Sequence, residues 1–282
     1  MNALEVLHQT HWRQFMNNEL FAALYESWWH GDRINFWRHT RLMDPALSLL
    51  TEFGDRSWLT LGDGAGTDAW RLEKRGFKHV VATDLDSTVL ERTQRDGRIK
   101  SYAVANAEQL DFNDSSFDFV LCKEVLHHMA RPYLGIYEAI RVAKYAVCII
   151  EPLDAYAGGS ATAEPFQPFY ESVGNFVYGL SIHEARKISY GQNLLGFGFN
   201  TLVDVYIPGC EFKLARDNEP MWHDIQAQVR VHEQAVDRGL QKPNYIQVLL
   251  FKSEFQQHNL IHLSKKYSQW KFEETNKNPH LR

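Results

Sequence analysis

The composition is that of a folded protein with a small acidic excess. The chain has 282 residues, 44% of them hydrophobic, with 30 basic and 35 acidic side chains. These proportions exclude collagen-like, low-complexity and disordered classes. The net charge of −5 disfavours a nucleic-acid partner, because such proteins usually neutralise phosphates with a basic excess. The three cysteines are far apart and form no C-x-x-C pair, so neither a disulfide framework nor a cysteine zinc site is expected.

The sequence carries no pattern for export or membrane insertion. Its first residues lack the basic-then-apolar layout of a signal peptide. The fully apolar run near the middle of the chain, Tyr145 to Ile150, is far too short to span a bilayer. We therefore expect a cytoplasmic protein with no membrane partner.

In chain order, helices are expected first and an α/β sheet follows. Over residues 1–50, apolar and aromatic side chains recur at helical spacing, as at Leu20, Leu24 and Trp28, which predicts an N-terminal helical cap. From residue 57, short apolar runs alternate with amphipathic stretches, which predicts a doubly wound parallel sheet. The expected strands are 58–61, 79–83, 101–106, 117–122, 145–150, 200–208 and 245–252.

The remaining segments differ in amino-acid composition, and these differences suggest the domain boundaries. Residues 153–180 are rich in glycine, alanine and aromatic side chains, and the last 28 residues are polar. We expect a helical cap at 1–50 and a sheet domain at 51–254, in which 153–180 form an aromatic loop over the site. Residues 255–282 are expected to form a polar C-terminal tail.

A glycine-rich turn follows the first strand. Gly62, Gly64 and Gly66 precede a helical stretch, and Asp84 ends the second strand twenty residues after Gly64. Glycine permits close approach of a ligand, a helix N-terminus offers free N–H groups, and a carboxylate at this place can accept ribose hydroxyls. The pattern predicts a nucleoside site. A dinucleotide fingerprint requires a further glycine where Thr67 stands, which weakens a pyrophosphate interpretation.

Five motifs in this order resemble the class I S-adenosylmethionine-dependent methyltransferases. The nearest likeness is to the small-molecule branch with a type 11 methyltransferase domain. The resemblance covers about residues 56–152, and its motifs are LTLGDGAGT, VVATDLD, VANAEQL, FDFVLCKEVLHHM and CIIEP. It implies a seven-stranded Rossmann-like sheet with an antiparallel final strand, and S-adenosylmethionine as the cofactor.

The resemblance also implies which residues hold the cofactor. The residues of the glycine turn would line the methionine and ribose part of S-adenosylmethionine, namely Gly62, Asp63, Gly64 and Gly66. Asp84 would bind the ribose hydroxyls, Leu85 would lie against the adenine, and Lys123 would begin the segment beneath the sulfonium. The adenine edge would meet Asn106 and Ala107. Asn106 replaces a usual aspartate, and Thr60 stands where many members carry an acid. Both substitutions retain hydrogen-bonding capacity.

Candidate catalytic residues follow the fourth strand. Methyl transfer from a sulfonium is an in-line displacement, which needs a base only if the acceptor is protonated at working pH. Ligands bind at the carboxyl edge of such sheets, where Glu124, His127 and His128 are expected. The histidines are adjacent, so one should face the cleft and the other should point away. The alternative is that both only end a strand and begin a helix. Glu151 is a further candidate acid.

The acceptor site is expected outside the core motifs. Four of the eight tryptophans fall within the first 37 residues, and the 153–180 loop is rich in aromatics. Aromatic side chains could wall an apolar acceptor pocket, and an arginine could bind an acidic group. The substrate candidates are Trp28, Trp29, Arg33, Tyr170 and Tyr178. Each could instead belong to the core of a small helical cap.

The resemblance implies a methyltransferase acting on an oxygen or nitrogen of a small molecule, and we expect that activity of this chain. A nicotinamide oxidoreductase on a similar sheet is the first alternative, although Thr67 argues against it. A non-catalytic cofactor-binding protein and a protein methyltransferase are the others. No metal is expected, because the histidine pairs at turn spacing have no evident third ligand.

Overall fold

The computed structural model describes residues 6, 10, 13, 19–154, 170, 176–276, 278 and 280. Most of the expected aromatic loop, 155–169 and 171–175, lies outside these residues. The helices are α1 (Glu19–Ser27), α2 (Ile34–Leu50), α3 (Thr67–Lys74), α4 (Thr88–Arg95), α5 (Pro132–Val142), α6 (Ile182–Gly191), α7 (Pro220–Asp237) and α8 (Gln257–Lys266). The strands are β1 (Ser57–Leu61), β2 (His79–Asp84), β3 (Tyr102–Val104), β4 (Phe117–Lys123), β5 (Ala143–Pro152), β6 (Gly196–Leu202), β7 (Tyr245–Phe251) and β8 (Lys271–Glu274).

The strands form one mixed sheet in the order β3-β2-β1-β4-β5-β7-β6-β8. Strands β1 to β5 are parallel, and β6, β7 and β8 pair antiparallel. The predicted α/β class with a Rossmann-like sheet, a helical N-terminus and antiparallel pairing at the C-terminal end is confirmed. The carboxyl ends of the parallel strands share one edge, where the motifs place their polar residues.

Among the described residues the sheet has eight strands, so the expected count of seven is wrong. Strand β8 arises from the segment expected to be a polar tail, and it pairs with β6. Burial of Leu260, Leu263 and Trp270 draws this segment onto the sheet, because their apolar area leaves water. The mostly polar residues of β8 itself lie at the sheet edge, which explains why a strand pattern is not visible there.

The sixth strand also starts earlier than expected, at Gly196 instead of residue 200. A Cβ on Gly198 would lie 2.6 Å from the Phe272 ring, and one on Gly196 would lie 2.5 Å from the Glu273 carbonyl oxygen. Two glycines therefore let β8 approach β6 closely. Residues 203–208 leave the sheet, so the predicted strand 200–208 is wrong at both ends.

Helices cover both faces of the sheet. On one face, Leu42, Met43 and Leu47 of α2 share a core with Trp58 of β1. Helices α5 and α6 pack on the other face. Helix α2 is thus part of the main hydrophobic core. Among the described residues, no helix is long and apolar enough to cross a membrane.

Helix α1 packs against the region of the glycine turn. Its Phe21 and Tyr25 form a buried cluster with Ala65 of the turn and Val89 of α4. The Tyr25 hydroxyl lies 3.0 Å from Thr93 Oγ1. The N-terminal helix therefore covers one side of the turn and fixes it against α4.

Candidate active site

The glycine turn adopts a backbone that other residues avoid. Gly62, Gly64 and Gly66 have φ values of 60°, 57° and 80°, in the left-handed region. A Cβ on Gly62 would lie 2.0 Å from Val125 Cγ2 of the segment after β4. Glycine at this position is required both by the backbone and by the close approach of the neighbouring segment.

Asp63 is turned inward to the start of α3. Its Oδ1 accepts the Asp68 N–H at 2.9 Å, and its Oδ2 accepts the Ala69 N–H at 2.9 Å and the Thr60 hydroxyl at 2.7 Å. Burial and the nearby Asp68 carboxylate raise the pKa of Asp63 to about 8, although these hydrogen bonds oppose the rise. The side chain therefore holds the turn in shape, and Thr60 serves that network.

Asp84 ends β2 beside the turn. Its Oδ2 accepts the Gly64 N–H at 2.9 Å, and its Oδ1 accepts the Asp86 N–H at 3.2 Å. Burial raises the pKa of Asp84, while the backbone hydrogen bonds lower it. A carboxylate oxygen can accept more than one hydrogen bond, so Asp84 retains acceptor capacity on the side that faces a cavity.

That cavity has a volume of about 90 Å³ and lies at the carboxyl edge of the parallel strands. It brings together six residues selected from the sequence, namely Gly62, Asp84, Leu85, Asn106, Ala107 and His128. Five others line it that sequence reasoning missed, namely Ala105, Glu108, Val125, Met129 and Ala130. All five lie inside or directly beside the motifs, within two residues of a selected one, so an apolar or acidic side chain next to a motif residue is the signal that could have found them.

Two of the cavity residues, Asn106 and Glu108, are fixed by hydrogen bonds. Asn106 Oδ1 accepts the Glu108 N–H at 2.9 Å, which closes a tight turn after β3. Glu108 is buried and accepts the Arg131 backbone N–H at 2.8 Å and its Nε–H at 2.7 Å. These bonds tie the β3 end to the start of α5 across the cavity.

Lys123, the last residue of β4, is buried within an ion-pair network. Its Nζ lies 2.8 Å from Glu124 Oε2 and 3.5 Å from Asp68 Oδ1. Burial alone would lower the pKa of Lys123, but these two carboxylates raise it overall. The ammonium thus links β4 to the first turn of α3, beneath the glycine turn.

Glu124 follows with φ of 50°, an uncommon conformation for a residue other than glycine. The Tyr245 hydroxyl donates to its Oε1 at 2.8 Å, and His39 Nδ1 lies 3.3 Å from its Oε2. Burial would raise the pKa of Glu124, but the Lys123 ammonium holds it well below its usual value. The site therefore contains an ionised carboxylate, which Lys123, Tyr245 of β7 and His39 of α2 contact.

The two adjacent histidines have different surroundings. His127 Nδ1 lies 2.5 Å from Oε2 of Glu151, which is fully buried, and only 8% of the His127 side chain is exposed. Glu151 also accepts the backbone N–H groups of Val125 and Leu126, at 2.8 and 2.7 Å. Glu151 therefore anchors the turn after β4. His128 lines the cavity instead, with its ring centroid 4.1 Å from that of His127.

The substrate candidates from the N-terminal region pack against the protein. Trp28 and Trp29 lie at the border of the α1 cluster, and Trp29 meets Trp70 of α3 with ring centroids 5.7 Å apart. Arg33 donates to the Phe212 carbonyl at 2.5 Å. None of these three predicted residues lines the 90 Å³ cavity.

The other two substrate candidates belong to an exposed aromatic group. The ring of Phe176 lies 5.7 Å from that of Tyr170 and 4.9 Å from that of Tyr178. Tyr170 is 59% exposed and Tyr178 is 40% exposed. Neither lines the cavity. The prediction that they belong to a loop over the site concerns residues 153–180, most of which lie outside the described residues.

A buried ion pair near the site escaped sequence reasoning. Arg38 of α2 donates Nε–H to both Asp204 carboxylate oxygens, at 3.1 and 3.2 Å, and also pairs through Nη2. Asn35 Oδ1 accepts from its Nη1 at 2.9 Å. Asp204 lies 166 residues further along the chain, so no local pattern could reveal the pair. Over the part of the chain that the structure describes, no group of acidic, cysteine or histidine side chains is suited to hold a metal ion.

Comparisons with known proteins agree with this geometry. Residues 59–148 match a family model described as a methyltransferase domain. The chain is 28% identical over 223 residues to a ubiquinone biosynthesis O-methyltransferase of Rickettsia prowazekii, covering 73% of this chain and 85% of the relative. It is 29% identical over 123 residues to the protein of that name in Rickettsia bellii, and there it spans only half the length of the relative.

Solved structures show the same fold. A methyltransferase of Thermotoga maritima, described as a possible histamine N-methyltransferase, aligns with a TM-score of 0.50 and 15% identity over 85% of this chain and 98% of that one. A phosphoethanolamine N-methyltransferase of Haemonchus contortus aligns with a TM-score of 0.51 and 15% identity over 86% of this chain and 60% of that one. The resemblance seen in the sequence is confirmed to this extent: residues 59–148 match a methyltransferase domain, and the fold is the one found in S-adenosylmethionine-dependent methyltransferases.

Proposed function

We propose that the protein transfers a methyl group from S-adenosylmethionine to an oxygen or nitrogen of a small molecule. The observation that carries the proposal is the cavity in which the glycine turn, Asp84, the Asn106–Ala107 turn and the segment after β4 meet. The O-methyltransferase name of the Rickettsia prowazekii relative supports an oxygen acceptor. A phosphoethanolamine N-methyltransferase of Caenorhabditis elegans, 30% identical over 111 residues, keeps nitrogen open as the alternative.

The residues around the cavity fit the nucleoside part of this cofactor. Asp84 offers carboxylate lone pairs to ribose hydroxyls, and Leu85 with Ala107 supplies apolar surface for an adenine. The volume of about 90 Å³ is below the roughly 300–1,000 Å³ of complete ligand sites. The cavity would therefore hold only part of the cofactor. When bound, the cofactor supplies an electrophilic methyl group on a sulfonium.

The protein's own contribution is positioning and the exclusion of water. Val125 and Met129 line the cavity with apolar surface, which limits access of water to a bound sulfonium. Glu151 fixes the backbone that carries Val125, and Gly62 of the glycine turn packs directly against the Val125 side chain. Alignment of this kind can account for much of the rate of a displacement between two bound reactants.

Calorimetric titration with S-adenosylhomocysteine tests the cofactor site. Asp84→Asn keeps the shape but removes the charge that strengthens hydrogen bonds to ribose, worth about 1.5–3 kcal/mol. We expect binding about 10–100-fold weaker in this variant. Asp111→Asn, on the exposed turn before β4, is the matched control and should bind like the wild type. Binding of NAD instead of S-adenosylhomocysteine would replace this proposal with the oxidoreductase alternative.

Isotope transfer tests the acceptor class. The protein is incubated with S-adenosylmethionine labelled in its methyl group and with pools of small hydroxyl and amine compounds, and the products are separated by size. We expect the label in the small-molecule fraction. Label in protein would indicate the protein methyltransferase alternative, and cofactor binding with no transfer to any acceptor would indicate a non-catalytic binding protein.

A further inference from the structure

A histidine that the sequence did not single out lies beside the site, on the side away from the nucleoside cavity. His39 belongs to α2, and its Nδ1 lies 3.3 Å from Glu124 Oε2. Glu124 is the residue before Val125, which lines the cavity. The pair therefore stands at the carboxyl edge of β4, one residue from the cavity wall.

The two nitrogens of His39 have different exposures. Nδ1 is buried and makes no well-aligned hydrogen bond, although it is within ion-pair distance of Glu124. A quarter of the side chain, 25%, remains exposed, so the accessible edge is the one that carries Nε2. Within the described part of the chain, Nε2 makes no hydrogen bond. The ring thus turns one nitrogen to a carboxylate and leaves the other available to a ligand.

Surrounding charges set the ionisation of this pair. Burial and the Lys123 ammonium lower the pKa of His39, with a smaller contribution from Arg38 on the same helix, while Glu124 opposes them. Tyr245 faces the pair from β7 and donates to Glu124. At neutral pH the pair is therefore a neutral imidazole beside an ionised carboxylate, which is the state of a base ready to accept a proton.

Glu124 is firmly oriented for this task. Lys123 Nζ and the Tyr245 hydroxyl each donate to it at 2.8 Å, one on each carboxylate oxygen. A carboxylate held in place can orient an imidazole and stabilise its charged form after proton uptake. His127 lacks this freedom, because its Nδ1 contacts the buried Glu151 and the ring is nearly inaccessible.

We propose that His39 is the base that takes the proton from the acceptor hydroxyl, and that Glu124 is its positioning residue. The inference rests on the proposed methyl transfer. The acceptor oxygen forms its bond to the methyl carbon as the carbon–sulfur bond breaks, and that electron pair stays on sulfur. The hydroxyl proton moves to His39 Nε2 and is later released to solvent. The acceptor class is a small molecule whose hydroxyl is protonated at working pH.

The decisive experiment compares two acceptors that differ in acidity. Catechol is largely protonated at neutral pH, whereas 4-nitrocatechol ionises readily and needs no base. We expect His39→Asn to slow methylation of catechol about 100-fold, within the range of general-base catalysis, and to leave 4-nitrocatechol within a few-fold of the wild type. His79→Asn, on the exposed start of β2, is the matched control and should match the wild type on both acceptors.

Each other result has a distinct meaning. Equal losses on both acceptors, with S-adenosylhomocysteine still bound, would assign His39 a structural role and overturn the base. Wild-type protein that binds S-adenosylhomocysteine but methylates neither catechol would overturn the hydroxyl acceptor and the base together. Wild-type protein that does not bind S-adenosylhomocysteine would overturn the proposed function itself. The NMR titration described next would then test only whether His39 and Glu124 interact.

Proton NMR titration of the histidine ring tests the pair without any acceptor. We expect His39 to titrate below its ordinary value, and Glu124→Gln to lower its pKa further, because the carboxylate that favours the charged form is lost. Titration above the ordinary value, or a pKa unmoved by Glu124→Gln, would show that no such pair exists in solution.

Discussion

The two halves of the site are held together in different ways. Around β1, β2 and β3, side chains bind backbone groups a few residues away, as Asp63 does at the start of α3 and Asn106 does in its turn. Around β4 and β7, charged side chains from distant elements bind one another, as in the Arg38–Asp204 pair. The nucleoside half is built from local backbone geometry, whereas the proposed acceptor half is built from long-range ion pairs.

This difference has consequences for energy and for specificity. Local backbone turns cost little loop-closure entropy, and their shape follows from glycine and from capping residues. Buried ion pairs require costly desolvation of both partners, and removal of one partner leaves the other uncompensated. We expect mutations of the buried Arg38–Asp204 pair in the acceptor half to act mainly on folding stability, and mutations in the nucleoside half to act mainly on cofactor affinity.

The largest effect is expected at the buried ion pair. Arg38→Met leaves the Asp204 carboxylate buried without its partner, and should lower the free energy of unfolding in urea by about 3–5 kcal/mol. Arg41→Met is the matched control, because its pair with Glu233 is partly exposed, at 26% and 48%. Such pairs contribute about 1 kcal/mol or less. Equal losses in the two variants would contradict the distinction between buried and exposed pairs.

A smaller effect, this time on affinity, is expected in the glycine turn. Gly62→Ala adds a Cβ 2.0 Å from Val125 Cγ2, which displaces the cavity wall, and we expect S-adenosylhomocysteine binding about 100-fold weaker by calorimetry. Gly54→Ala has similar backbone strain, with φ of 78°, but nothing within 4 Å of its Cβ. It should lose about 1–2 kcal/mol of stability and keep its affinity. Unchanged binding in Gly62→Ala would mean that this wall does not contact the cofactor.

The smallest effect is expected at an exposed long-range cluster, and it depends on pH. Glu52 contacts His262, Lys266 and Tyr267 near the C-terminal end of α8. Burial would raise the pKa of Glu52, but these partners lower it to about 2. A folded-state value below the unfolded one means that the stabilisation is present above about pH 4.5 and is lost as the pH falls toward 2.

Urea unfolding of Glu52→Gln at two pH values measures this contribution. We expect a loss of about 1 kcal/mol at pH 7, because the cluster is largely exposed, and almost none near pH 2. A loss that stayed constant with pH would show that the cluster acts through packing and not through charge. Both Glu52 and Arg38 have partners that are distant in sequence, but only the Arg38 pair is buried. A small loss of unfolding free energy in Glu52→Gln and a large one in Arg38→Met would show that burial, and not sequence separation, determines the size of the loss.

What the sequence reveals about the site follows the same division. The glycine turn, Asp84 and the β3 turn are predictable, because spacing within a short motif determines their geometry. The inward rotation of Asp63 is not, since a motif states which residue is present but not which hydrogen bonds its side chain makes. His39 lies 85 residues before Glu124 and in a region expected to be a cap, so only the folded chain brings the two together.

Prediction of the fold from the sequence has the same limit, because a local pattern does not show contacts between distant segments. Parallel strands flanked by helices give a clear alternation of apolar runs, and the α/β class is predictable from it. Strand β8 (Lys271–Glu274) has no such run, and it forms because Gly196 and Gly198 let it approach β6. Tertiary contact overrides the local preference of a polar segment in this case.

Helix α2 also affects how the protein is made. Arg38 is synthesised 166 residues before Asp204. At about 5–20 residues per second, the ribosome needs roughly 8–33 s to reach the partner. During that time the apolar face of α2, with Leu42 and Leu47, has no β7 to pack on, although its core includes Leu249. The apolar face of α2 therefore cannot complete its packing in the nascent chain until β7 has been synthesised.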